Sequence, residues 1–328
     1  MYDQKTGVTT MSNYLKYRPA WAQILIFIGM AFGIFLVLGI AGAMTLSRIT
    51  GMDILEVSDS SKWDFSDSKT LVLIRGLLLV QFISLFLVPV FLFAYFSDPA
   101  PSRYLGLRSG SAPSFYLAGI VLLIAAIPLA GWLGVVNEQI AFPQGVYQWM
   151  KEMEDETNRQ VEFLLKQSGP KQLILNLIFI AALAGTGEEL FFRGILQRLF
   201  IRWFKSPWAG IVVTAFIFSA FHLQFIGLLP RFALGILLGA IYWYSGSLWP
   251  AILAHFFYDG FIVVLAYFNP EIITNDSAAA LKNVPVLLQA LLSFVVIVLI
   301  IWWMKKKSTV RFEQVYAADR QPDNPFSF

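Results

Sequence analysis

The chain has 328 residues, of which 57% are hydrophobic and 14% charged, with a net charge of +3 and a mean hydropathy of +0.66. Soluble domains carry about 25% charged residues, so an ordinary soluble domain is excluded, and so small a positive charge gives no reason to expect nucleic acid as a partner. The absence of cysteine rules out disulfides, thiol nucleophiles and cysteine-ligated metals.

Repeated apolar runs of about 20 residues predict an all-α fold, a polytopic membrane helix bundle. No stretch alternates polar and apolar residues as a barrel strand would. About eight transmembrane helices and one amphipathic helix are expected. Residues 1–20 are a polar N-terminal tail, and the long first apolar run lacks a small-residue cleavage site, so it reads as a retained anchor. Residues 21–135 supply three spans, at Trp21–Leu46, Thr70–Phe96 and Phe115–Val135. Residues 136–170 form an external loop.

Within that loop, Val146, Trp149, Met150, Met153, Val161, Leu164 and Leu165 recur at helical spacing over Gln144–Gln167. Lys151, Glu152, Glu154, Asp155, Glu156 and Arg159 lie between them. The net acidic polar face argues against docking on anionic lipid, leaving a helix that rests on the bundle or gates it. Residues 171–267 form a core of four spans, near Gln172–Leu196, Ala209–Leu223, Phe232–Tyr244 and Leu248–Tyr267, and 268–304 hold the last span. Residues 305–328, opening with Lys305, Lys306 and Lys307, read as a basic cytoplasmic tail without a prenylation or retention signal. Lys and Arg are modestly enriched in the pieces on the N-terminal side of the membrane. An even number of spans then puts both termini in the cytoplasm, in a multi-pass protein of a cell membrane, with a bacterial inner membrane the expected setting.

Three of the chain's 21 carboxylates lie inside long apolar segments, Glu188, Glu189 and Asp259, as do both histidines, His222 and His255. An ionised group at mid-bilayer costs about 2.5–3.5 kcal/mol on insertion scales, so these residues must cluster, and carboxylates beside imidazoles are the material of acid–base or metal chemistry. In Glu188-Glu189-Leu190-Phe191-Phe192-Arg193, the second Glu and the Arg are four apart and form an acid-before-base pair. Glu188 points about 100° away, free to face a cavity, although a purely structural Glu–Glu–Arg clasp fits the same spacing. His222 closes Phe218-Ser219-Ala220-Phe221-His222. His255 and Asp259 lie one turn apart, so Asp259 either orients the imidazole or converges with it on one oxygen or metal. Gly185, Gly187, Gly194, Gly235 and Gly239 allow close helix approach.

The ordered trio Glu-Glu-x-x-x-Arg, Phe-x-x-x-His and His-x-x-x-Asp, each in an apolar helix, resembles the CPBP family. That family holds the type II CAAX prenyl endopeptidases and the bacteriocin-processing and abortive-infection membrane proteins. The resemblance covers residues 170–265. It implies an intramembrane endopeptidase in which Glu188 activates water with help from His222, His255 and Asp259 complete the site, and Glu189 and Arg193 support it. It also implies a membrane-associated or prenylated peptide or protein as substrate. His222, His255 and Asp259 are its candidate metal ligands, with Zn2+ as the candidate ion beside a metal-free glutamate mechanism. Many prenyl-processing members carry Asn where this chain has Asp259, and an ionised Asp does not donate to an oxyanion. Two other functions compete: a proton-coupled transporter, since buried Glu, His and Asp also make proton relays, and a non-enzymatic bacteriocin-immunity or scaffold protein on the same fold.

Overall fold

The structure, a computed structural model, describes residues 14–107, 110–270 and 286–315. Residues 1–13 of the N-terminal tail and all of the basic tail beyond 315 therefore lie outside the described residues. Among the described residues nine longer helices carry the architecture: α1 Ala20–Thr50, α2 Ser68–Ser97, α3 Pro113–Glu138, α4 Gln144–Leu165, α5 Pro170–Phe204, α6 Pro207–Phe221, α7 Leu228–Ser245, α8 Trp249–Phe268 and α9 Val286–Lys307. No strand occurs among the described residues.

Among the described residues, seven helical segments are long and apolar enough to cross a membrane. The expected fifth span is α6, whose 15 residues reach about 22 Å, short of the ~30 Å hydrocarbon thickness. It is wedged between α5 and α7. A Cβ on Gly235 of α7 would lie 3.0 Å from that of Ala215, and one on Gly239 would lie 2.6 Å from Oε1 of Gln197. The helices are broken where the sequence dictates. Pro89 lacks the amide that a regular turn needs, and the turn before it widens to π geometry over Phe82–Leu87. Pro128 breaks α3 at Ala126, where Ser293 Oγ of α9 donates to the Ala125 carbonyl at 2.5 Å. Gly246 closes α7 at φ +67, a left-handed conformation that costs glycine nothing.

Hydrogen bonds sort the loops into two ends. At one, Leu15 N donates to Phe96 O (3.0 Å), Arg202 to Lys16 O (3.3 Å), Arg198 to the Tyr104 carbonyl, and Leu248 N to Gly106 O (3.1 Å). Val310 packs on Gly246 at this end, so the described chain begins and finishes on one face. At the other end, Arg75 donates to Asn176 (3.0 Å), Asn176 to Leu164 O (2.6 Å) and Asn137 Nδ2 to Phe225 O (2.9 Å). Here the expected amphipathic helix, α4, lies over the 222–227 loop. Met150 and Leu164 are buried, Trp149 meets Phe225 with ring centroids 5.6 Å apart, and Glu154 Oε2 accepts from Ile226 N at 2.9 Å.

Candidate functional site

The site forms where α5, α6 and α8 meet. Gly185 makes that meeting possible: a Cβ there would lie 3.1 Å from the Phe256 amide nitrogen, so α5 rests directly on the backbone of α8. From Glu189 to Gln197 the α5 helix has π geometry, a widening often found at functional positions. The two adjacent glutamates enter different surroundings. Glu189 is fully enclosed, whereas the Glu188 side chain keeps 15% of its exposure and lines a cavity of about 670 Å³.

Glu189 Oε1 accepts from Arg193 Nη1 at 2.5 Å and from His255 Nδ1 at 3.0 Å. Arg193 Nη2 donates to Gly235 O at 3.1 Å, and the guanidinium lies 4.6 Å from the centroid of the Phe218 ring. The same Phe218 offers its carbonyl to His222 Nδ1 at 2.8 Å. A carbonyl only accepts, so Nδ1 carries the hydrogen and the neutral ring presents an Nε2 lone pair. That Nε2 lies 3.8 Å from Glu188 Oε1, while His255 Nε2 lies 4.0 Å from Glu188 Oε2 and 3.4 Å from Asp259 Oδ2. Glu188 Oε2 has no hydrogen-bond partner among the described residues. Gaps of this size exceed a direct hydrogen bond but suit one bridging water.

All six residues singled out in the sequence, Glu188, Glu189, Arg193, His222, His255 and Asp259, thus come together. One relationship differs from the simplest reading of the sequence. Asp259, one turn from His255, faces its Nε2 at 3.4 Å, and Glu189, from another helix, takes Nδ1 at 3.0 Å. In donor chemistry, imidazole and carboxylate suit zinc. In placement, no group of three or more His, Cys, Asp or Glu among the described residues is arranged to hold a metal ion, His222, His255 and Asp259 included.

Four residues that the sequence does not single out as functional hold the 222–227 loop beside the cavity. Arg231, expected in an external loop, lies in the first turns of α7, lines the cavity and donates to Gln224 O at 2.9 Å. Asn137 holds the 222–227 loop from α3, donating to Phe225 O and accepting from Leu229 N, both at 2.9 Å. Glu154 and Asn158 hold the loop from α4, the latter through Gln224 Nε2 at 3.1 Å. A Pro-Arg pair abutting an apolar run was the one available signal for Arg231.

Residues 170–261 match the model of the type II CAAX prenyl endopeptidase Rce1-like family. A Bacillus subtilis protein, named only as the uncharacterized protein YpbD, is 32% identical over 93 residues, 27% of this chain and 44% of the relative. The chain thus spans less than half the length of that curated relative. No solved structure matches the chain. Every residue of the cluster falls within the matched segment, so the helical core of this membrane protein is similar, over residues 170–261, to the Rce1-like type II CAAX prenyl endopeptidases.

Proposed function

We propose that the protein is an intramembrane endopeptidase that hydrolyses a membrane-associated peptide or protein through water activated by Glu188. The observation that carries this reading is Glu188 lining the cavity between the Nε2 atoms of two histidines, 3.8 and 4.0 Å away, with its buried Oε2 unpartnered among the described residues. A water in those gaps donates one proton to Glu188 as its oxygen attacks the scissile carbonyl carbon. His222, with Nδ1–H held by the Phe218 carbonyl, accepts from the same water through Nε2. His255, held between Glu189 and Asp259, is placed to donate to the oxyanion in its doubly protonated form. The proton on Glu188 then passes to the leaving amine, which restores the carboxylate. Glu189 and Arg193 orient His255 and Phe218 without touching substrate. Lys16, Arg18 and Lys305–Lys307 lie toward the end where the described chain begins and finishes, which supports a cytoplasmic location for that end.

Glu188→Gln and His222→Ala, reconstituted in liposomes and confirmed folded by their melting transitions, are expected to lose cleavage of a membrane-anchored peptide library by at least about a hundredfold. Wild-type cleavage in either variant overturns the assignment.

A further inference from the structure

The cavity has a floor and a mouth, and they face opposite ends of the bundle. Its floor is the cluster of Glu188 and His255. Beyond that floor, toward the end where the described chain begins and finishes, the core is solid. Phe192, Ile195 and Leu199 of α5, with Leu105 and Leu248, keep 2% exposure or less. A Cβ on Gly194 would lie 3.2 Å from Leu105 Cδ2, and one on Gly210 would lie 2.6 Å from the Ile201 amide nitrogen. Packing that close leaves a peptide no passage.

The walls rise the other way. α2 lines the cavity from Phe86 back to Ile74, α5 from Glu188 back to Phe179, and α8 from His255 on to Val263, so each runs toward the α4 end. Val161 of α4, Phe221 at the tip of α6 and Ile262 of α8 line the cavity and are yet 38%, 41% and 43% exposed. Among the described residues, the cavity therefore reaches the surface on this side of the site. Lys and Arg gather at the closed end, where Arg198 and Arg202 lie in the last turns of α5 and Lys305–Lys307 finish α9. That bias supports the closed end as the cytoplasmic one.

We propose that the substrate reaches Glu188 from the membrane side opposite the chain termini, the non-cytoplasmic side, as a polypeptide segment exposed on that face and inserted past α4. The proposal deepens the hydrolase reading and rests on it. It makes secreted peptides and the external segments of membrane proteins the substrate class, and leaves the tails of cytoplasmic proteins without a path to the site.

The chain has no cysteine, so single-cysteine reporters can be placed in the full-length protein. Val161→Cys and Lys307→Cys both replace exposed side chains, a change that leaves folding intact. A sulfonated maleimide does not cross a bilayer. In sealed right-side-out membrane vesicles it is expected to label Val161→Cys and spare Lys307→Cys, and in inverted vesicles to do the reverse. An internally quenched peptide library carrying sulfonated dyes is expected to be cleaved at least about tenfold faster by right-side-out than by inverted vesicles bearing the wild type, a difference that detergent abolishes. Cleavage confined to inverted vesicles, or equal in both while they are sealed, overturns the proposal. Labelling of Val161→Cys from the same side as Lys307→Cys overturns it too. Labelling of Val161→Cys from outside, with no cleavage by any vesicle or detergent preparation, faults the hydrolase reading and leaves the side of access standing.

Discussion

Removing either member of the Glu189–Arg193 pair should cost more stability than removing both. Both side chains are fully enclosed, 2.5 Å apart, in the π segment of α5. Arg193→Met leaves Glu189 with one donor, His255 Nδ1, in place of two, and Glu189→Gln leaves the guanidinium with the Gly235 carbonyl and the Phe218 face. Breaking a buried pair from one side costs about 3–5 kcal/mol, whereas replacing both charges by neutral groups of similar volume is often close to neutral. Two additive losses would sum to about 6–10 kcal/mol, comparable with the whole stability of a folded domain. The double variant should instead fall within about 2 kcal/mol of wild type, a coupling of several kcal/mol. The measurement is a double-mutant cycle on detergent-solubilised protein, unfolded reversibly by denaturant and followed by tryptophan fluorescence. A double variant as unstable as the summed singles would refute the reasoning, as would an Arg193→Met within about 1 kcal/mol of wild type. Activity should not return with stability, because the double variant still lacks the carboxylate that fixes His255.

Gly210→Ala is expected to destabilise by about 1–3 kcal/mol, because its Cβ would lie 2.6 Å from the Ile201 amide nitrogen; Gly33→Ala meets nothing within 4 Å and should be neutral or stabilising in the same unfolding assay. Asn137→Ala should cost about 1–3 kcal/mol through the unpaired Phe225 carbonyl and Leu229 amide, and should lower kcat more than it raises KM, since the loop it holds follows His222 directly. Burial pushes the Glu154 carboxyl above its ordinary 4.5 despite Arg231 and the Ile226 amide. A raised carboxyl adds stability below the unfolded value and loses it as pH rises through the folded one. Wild-type melting temperature should therefore fall relative to Glu154→Gln between pH 4.5 and neutrality; Gln keeps an acceptor for Ile226, and a parallel pH dependence of the two proteins would count against this account.

The sequence exposed the site through cost. Glu188, Glu189, Asp259, His222 and His255 stand out because an apolar helix does not carry such groups without partners, and the same argument required that they meet. Helix number and type followed from the length of the apolar runs. Hydropathy does not carry the rest. Arg231 sits one residue before a strongly apolar run and beside Pro230, so it reads as loop although α7 begins at Leu228. Glu154 and Asn158 belong to the polar face of an amphipathic helix, where solvation is the default reading; only the fold reveals that this part of the face meets the 222–227 loop. The partner of His255 Nδ1 is equally invisible, because Asp259 at one-turn spacing is the local answer and Glu189, 66 positions away, is the actual one. The widening of α5 to π geometry changes no hydrophobic period.

The loop after His222 carries strain that its neighbours hold in place. Leu223 has φ +55, a left-handed conformation that a bulky residue adopts only under constraint, at a cost of about 1–3 kcal/mol. The constraint comes from four directions: Asn137 of α3 on Phe225, Glu154 and Asn158 of α4 on Ile226 and Gln224, Arg231 of α7 on Gln224, and Ser219 of α6 on the Leu228 carbonyl at 2.6 Å. A relaxed helical continuation at Leu223 would carry α6 onward past His222, whose own φ −72 and ψ −14 are still helical. Holding the chain off that path ends α6 short of a full membrane crossing and leaves His222 at its tip, within the bundle. The 15-residue length of α6, short for a membrane span, leaves His222 at the end of the helix with Nε2 3.8 Å from Glu188 Oε1.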